Sequence, residues 1–219
     1  PIRWDYNFLR VDSDGPDLSA ALVADAAERL QGGAGLKHRK VHVDDEALGQ
    51  KLTPGFKELG WIAHHLIVME HAGDLPQVPA VEVREVTFED LRPSFERWDV
   101  EVENNSPEDA TILAASKVVD REATSVRYLA ALLGEEVAGF CELYSGEGLG
   151  QIENVCTFDR FRNRGVARAV VLRALRESAS EGNDLHFLIA DDDDWPKRLY
   201  EKLGFRGIGF IDEYLLKPD

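Results

Sequence analysis

Six arginines, at positions 160, 162, 164, 168, 173 and 176, fall in a stretch with no acidic residue, inside a 219-residue chain whose formal charge is −16. The core of that stretch is Arg160-Phe161-Arg162-Asn163-Arg164-Gly165-Val166-Ala167, entered from the apolar run Ile152 to Phe158 and left through helical periodicity. It reads as strand, tight turn and helix start. The first turn of a helix leaves N–H donors without intrahelical partners, and aligned peptide dipoles add partial positive charge there. Gly165 has no Cβ and Ala167 is small, so a bulky anion can reach the backbone. The planar arginine fork matches phosphate oxygens. The chemistry expected at Asn163 to Arg168 is therefore the binding of a phosphate-bearing ligand. A solvated basic helix face is the competing reading of the same residues.

The elements that must hold this turn can be read from periodicity. Before it, Val126 to Leu133 and Val137 to Tyr144 form two apolar strands joined through Gly134-Glu135-Glu136, and a turn at Gly146 to Gly150 leads into Gln151 to Phe158. After it, Val171, Leu172, Ala174, Leu175 and Ala179 recur at helical spacing until Gly182. Leu185 to Ala190 is a short buried strand, Trp195 to Leu203 a helix, and Ile208 to Leu216 the last strand. Upstream, Ala80 to Val86 alternates as a strand. Thr87 caps a helix over Phe88 to Trp98, and Ser106-Pro107-Glu108-Asp109 opens another that should run to about Val119.

Closer to the amino terminus, Trp4 to Val11 is extended and Asp12 to Pro16 a turn. Asp17 or Ser19 caps a helix with apolar positions Leu18, Leu22, Ala26 and Leu30, ending at Gly32-Gly33. Leu36 to Val43 reads as a strand, Asp44 to Leu52 as a short helix and Trp61 to Met69 as a buried strand. Asp74 to Pro79 carries two prolines and no periodicity, which places a linker at 76–80 between residues 1–75 and 81–219. The whole is an α/β chain with a mixed sheet and helices on its faces.

Composition narrows the class. Charged residues make up 30% and hydrophobic ones 44%, as in globular chains. An excess of 41 acidic over 25 basic side chains argues against nucleic acid and anionic membrane as partners, and suits either solubility or attraction of a cationic acceptor. Cys141 and Cys156 lie in apolar runs, as buried thiols in a reducing compartment do. No apolar run nears the roughly 20 residues that span a bilayer, and no signal peptide opens the sequence, so a cytoplasmic location is expected. No metal is expected: His64 and His65 are adjacent in a strand and point to opposite faces, and the run Asp191 to Asp194 lacks an EF-hand pattern.

Arg162-Asn163-Arg164-Gly165-Val166-Ala167 resembles the Arg/Gln-x-x-Gly-x-Gly/Ala motif of the GNAT superfamily of N-acetyltransferases. Leu199-Tyr200-Glu201-Lys202-Leu203-Gly204-Phe205 looks like the Leu-Tyr-x-x-x-Gly-Phe signature of the same superfamily, one strand later. The resemblance covers roughly Val81 to Asp219 and implies the acyl-CoA N-acyltransferase fold. Acetyl-CoA would be the cosubstrate, held by Arg162, Asn163, Arg164, Gly165, Val166, Ala167 and Arg168. The strand before the turn and the next parallel strand would diverge, so that main-chain groups of Val155, Cys156 and Thr157 face the acetyl and pantetheine portions. Residues 1–75 follow an order that echoes the second half of such a domain without its arginine-rich turn. They are expected to be a degenerate or partial GNAT-like unit serving as a cap.

Transfer to an amine needs a base and a place for the leaving proton. Glu153 is the expected base, acting through water, because a carboxylate among apolar neighbours has a raised pKa; a solvent-facing strand glutamate is the plain alternative. Glu142 on the neighbouring strand is the weaker candidate. Tyr200 matches the superfamily tyrosine that protonates the departing thiolate, whereas a core tyrosine is the plain alternative. Many family members carry an asparagine where this chain has Asp191 to Asp194, a run best read as helix capping by Asp194. The expected function is an acetyl-CoA-dependent N-acetyltransferase acting on a small-molecule or peptide amine by direct attack in a ternary complex. A decayed acyl-CoA-binding sensor or scaffold is the alternative, and a homodimer stays open.

Overall fold

The structure, a computed structural model, describes residues 4, 6–12, 15, 17–74, 77 and 81–218. The expected linker at 76–80 lies outside the described residues except for Gln77, as do Ser13, Asp14 and Pro16 of the expected turn. In chain order the elements are β1 (Leu9–Arg10), α1 (Ala20–Ala27), β2 (Arg39–Val43), α2 (Glu46–Glu58), β3 (Ile62–His71), β4 (Glu82–Val86), α3 (Phe88–Glu101), α4 (Pro107–Ser116), α5 (Val118–Ala123), β5 (Ser125–Leu133), β6 (Glu136–Gly146), β7 (Leu149–Thr157), α6 (Val166–Ser180), β8 (Leu185–Asp191), α7 (Pro196–Lys202) and β9 (Phe205–Leu216).

Two compact units emerge, one of Pro1–Val68, Ala190–Lys197 and Gly207–Asp219, the other of Met69–Ile189 and Arg198–Arg206. The division differs from a cut between 1–75 and 81–219, because most of the last strand belongs with the amino-terminal residues. Its pairing supplies the reason. β9 runs antiparallel to β2 from Arg39↔Leu216 to Val43↔Asp212, and Tyr214 stacks on Phe56 with centroids 4.1 Å apart. The strands of this first unit follow the order β1-β2-β9-β3.

Two helices of the first unit differ from their periodicity. On α1 the buried side chains are Ala20, Val23 and Ala27, while Leu22, and Leu30 in the π-helical turn Glu28–Gly32 that continues it, face solvent, at 54% and 53% exposure. The small face lets α2 approach closely: a Cβ on Gly55 would stand 2.8 Å from the Ala20 Cβ. α2 starts from the Asp45 cap, whose carboxylate accepts from the Leu48 N–H at 2.7 Å, and runs through Pro54 rather than stopping near Leu52.

The second unit carries strands in the order β8-β7-β6-β5-β4. β4 to β7 are antiparallel, and the β5–β6 hairpin closes at Leu133↔Glu136; β8 joins β7 in parallel. α6 buries Val166, Ala169, Val170, Val171, Leu172, Ala174 and Leu175, and the Cys141 thiol of β6 lies 3.5 Å from the Val170 carbonyl. Arg127 of β5 ties α6 in place through Glu177 at 2.8 Å and Glu181 at 2.7 Å. An aromatic cluster of Phe88, Phe95, Tyr128 and Phe140 joins α3 to β5 and β6. α3 begins in a reciprocal cap between Thr87 and Asp90. The helix expected from Ser106 to Val119 breaks at Lys117 into α4 and α5.

Candidate active site

The basic turn forms as the sequence requires. After β7 a single 3-10 turn spans Asp159–Phe161, Asn163 takes a left-handed φ of 61°, and Gly165, at φ 78°, is the N-cap of α6 without any side-chain cap. Positive φ at the cap suits glycine, and the missing capping side chain leaves the first-turn N–H groups of Val166, Ala167 and Arg168 for an incoming acceptor. Arg162 pairs with Asp159 at 2.8 Å and Arg160 with Glu136. Arg173 pairs with Glu177 and reaches the Val83 carbonyl at 3.2 Å. Among the described residues neither Arg164 nor Arg168 has a carboxylate partner, so these two guanidinium groups are the available cations of the turn.

A second glycine, unremarked in the sequence, seats the turn on the sheet. A Cβ at Gly139 of β6 would stand 2.3 Å from the Cys156 carbonyl oxygen and 2.6 Å from the Val166 side chain. Only glycine lets the end of β7 and the start of α6 close together over that strand. Thr157, the last residue of β7, has its Oγ1 buried without a hydrogen-bond partner among the described residues. A buried hydroxyl in that state calls for a partner from outside the chain. The parallel ladder between β7 and β8 extends from Leu149↔Leu185 to Ile152↔Leu188, whereas β7 continues to Thr157. Val155, Cys156 and Thr157 thus lie beyond the last β8 pair, with their other edge on β6 at Phe140↔Cys156 and Gly139↔Thr157.

Between those two ladders the strand changes register. Glu142 pairs with Glu153 and Phe140 with Cys156, so β7 holds one extra residue there. Asn154 absorbs it with φ 52°. Glu153 sits at this bulge, half-buried, accepting a hydrogen bond from Gln151 Nε2. Loss of solvent pushes its carboxyl up to about 7, with the Glu142 charge adding to the rise against the Gln151 hydrogen bond. A group poised there can take a proton near neutral pH.

Glu142 has a different environment. It is fully buried, Lys117 Nζ donates to its two oxygens at 3.0 and 2.9 Å, the Tyr144 hydroxyl stands 3.2 Å away and Asn154 Nδ2 also donates to it. Its lone pairs are engaged by Lys117, Tyr144 and Asn154. Lys117, Asn154, Gly139 and Tyr144 were not singled out by sequence reasoning. The available signals were a lysine inside an otherwise apolar helical run, an asparagine inside a strand and a glycine in a buried strand.

The other expected residues are placed as follows. Tyr200 is the one buried side chain of α7, edge-on to Phe205 at 6.0 Å. Cys156 and Cys141 are both buried and free, and burial pushes the Cys156 thiol up to about 12 and Cys141 in the same direction. In the first unit, Asp194 accepts from the Trp195 N–H at 2.7 Å ahead of α7, and Asp192 pairs with Lys197. His64 and His65 lie against different carboxylates, Asp191 at 3.7 Å and Asp212 at 2.8 Å.

Comparison with known proteins identifies the fold and the family. Among solved structures, a functionally unknown conserved protein from Staphylococcus epidermidis superposes with a TM-score of 0.71 at 14% identity, covering 91% of this chain and 80% of that one. A GCN5-related N-acetyltransferase from Sphaerobacter thermophilus gives 0.63 at 20% identity over 90% of this chain, which spans 66% of its length. A tandem GNAT protein from the clavulanic acid biosynthesis pathway gives 0.62 at 13% identity, covering 90% and 68%. At these identities the likeness establishes the fold, a mixed α/β sheet of the acyl-CoA N-acyltransferase kind. No match was found among curated proteins. The profile of the Acetyltransferase (GNAT) family matches residues 84–205, more than half of the sequence and the segment that contains the bulge, the basic turn and Tyr200, and the chain belongs to that family.

Proposed function

We propose that the protein is an acetyl-CoA-dependent N-acetyltransferase that passes the acetyl group to a primary amine by direct attack within a ternary complex. The observation that carries this reading is the junction of β7 and α6. There an uncapped helix start with two unpaired arginines, an unpartnered Thr157 hydroxyl and strand edges beyond the last β8 pair follow directly on a carboxylate poised near neutrality.

The residues fit the cosubstrate. The N–H groups of Val166, Ala167 and Arg168, with Arg162, Arg164 and Arg168, would hold a pyrophosphate, and Asn163 and Gly165 supply the left-handed backbone that shapes the turn. Main-chain groups of Val155, Cys156 and Thr157 would hold the pantetheine arm and polarise the acyl carbonyl. When bound, the thioester supplies an activated acetyl group. Glu153 would take the proton that the ammonium must lose before its lone pair can attack, directly or through one water; Tyr200 would give its proton to the sulfur as the C–S bond breaks, and the second proton of the newly acylated nitrogen would restore the phenol. Direct attack is favoured because neither of the chain's two thiols is exposed or readily ionised. A scaffold without catalysis has no use for a carboxylate held in an unfavourable environment, which makes the enzyme the better reading.

Isothermal titration tests the donor site. Acetyl-CoA should bind the wild-type protein with micromolar affinity, and Arg164→Glu should weaken it at least tenfold while leaving the melting temperature of the free protein unchanged. Equal binding by the two proteins, or none by either, contradicts the reading.

A further inference from the structure

Resting on the reading of Glu153 as the base, we propose that Lys117 and Glu142 are a positioning pair: Lys117 fixes Glu142, Glu142 fixes Asn154, and Asn154 holds the bulge on which Glu153 is presented. Three observations converge on this. The helix begun at Ser106 breaks at Lys117, whose ammonium meets both Glu142 oxygens and lies 4.5 Å above the Phe95 ring. Glu142 is the direct cross-strand partner of Glu153 on one side and of Tyr128 on the other. Asn154, the residue that takes the extra place in β7, gives its amide N–H to Glu142.

Asparagine tolerates a left-handed backbone better than most residues, but its cost is met here by a charge-assisted hydrogen bond inside the protein. A buried carboxylate bonded on all sides is a rigid anchor, and one lacking its ammonium partner would be strongly destabilising. The pair also sets the field at the base. The charged groups that act on Glu153 are Glu142 on β6 and Lys117 at the α4–α5 break, with Tyr144 of β6 close by, and Asp120 of α5 and Tyr128 of β5 in turn face Tyr144 and Glu142. Of these, Glu142 favours the protonated form of Glu153 and Lys117 the ionised form. Removing Lys117 therefore moves Glu153 upward and removing Glu142 moves it downward.

The test combines carboxylate 13C NMR titration, with the Glu153 signal assigned by its loss in Glu153→Gln, and pH profiles of kcat/KM. Lys117→Met should raise the midpoint of Glu153 and of the acidic limb; Glu142→Gln should lower both. Because either change can cost folding, the double variant Lys117→Met with Glu142→Leu removes both charges and should fold. Its kcat should still drop at least tenfold, with KM for acetyl-CoA held within twofold, because Asn154 has lost its acceptor. Midpoints that stay fixed in the folded single variants, or a double variant with wild-type kcat, would overturn the proposal. If the wild-type protein bound acetyl-CoA but acetylated no amine while the NMR midpoints moved as stated, the pair would stand and the catalytic reading of Glu153 would fall.

Discussion

Glu153 carries opposite consequences for stability and for catalysis, which makes it the most informative residue to change. Its folded pKa is raised from the ordinary 4.5 to about 7. The folded state therefore holds the proton more tightly than the unfolded state, and stability is lost as pH rises from about 4.5 through about 7. A shift of that size corresponds to roughly 3 kcal/mol at pH 8. Glu153→Gln keeps an acceptor for the Gln151 amide and removes the ionisation. It should unfold at higher denaturant than wild type at pH 8, by that amount, and at the same denaturant at pH 4. It should also lose roughly 10²–10³-fold in kcat. Paired denaturation and rate measurements check both, and a variant destabilised at pH 8 would show that Glu153 is not held against its ionised form.

At the scale of elements, the site depends on how closely α6 approaches the end of β7. Gly139→Val would place a side chain within 2.3 Å of the Cys156 carbonyl and 2.6 Å of Val166, and neither neighbour is the free end of a flexible chain. The expected cost is about 1–3 kcal/mol in unfolding free energy, with at least tenfold weaker acetyl-CoA binding, read by denaturation and titration. Wild-type affinity in a stably folded Gly139→Val protein would contradict the close approach. The same scale shows what a sequence can and cannot convey. The strands, the α6 periodicity and the arginine turn were legible because each rests on local pattern: alternation, a 3.6-residue repeat, a glycine after three basic residues. The bulge at Asn154 was not, since a register shift is a relation between two strands and leaves a single ambiguous asparagine in one of them. The break at Lys117 was hidden for a related reason. Its cause is a buried carboxylate on β6, distant in sequence. On α1, leucines suggested one face while tight contact with α2 selected the alanines.

For the molecule as a whole, acid should be the destabilising direction through three histidines, one buried and two half-buried. His38, His71 and His186 are all lowered from the ordinary 6.5, chiefly by burial. The unfolded chain then takes up protons that the folded chain resists, so their contribution is intact above about pH 6.5 and is lost as pH falls below it. His186→Asn retains a group able to bond Ser178, which meets His186 Nδ1 at 2.8 Å. Its urea midpoint should decline less between pH 7 and pH 5.5 than that of wild type; an identical decline would remove His186 from this account. Among the described residues no helix is long and apolar enough to cross a bilayer. Under the proposed function, the charge of −16 on the chain would attract an amine acceptor arriving as a cation.

The claim that joins these scales is direct acetyl transfer from acetyl-CoA to an amine, and initial-rate kinetics of CoA release test it most directly. With acetyl-CoA and a panel of primary amines varied together, release should need both substrates, give intersecting double-reciprocal lines and fall at least a hundredfold in Glu153→Gln. A burst of CoA without amine, parallel lines, or no release with any amine would contradict it.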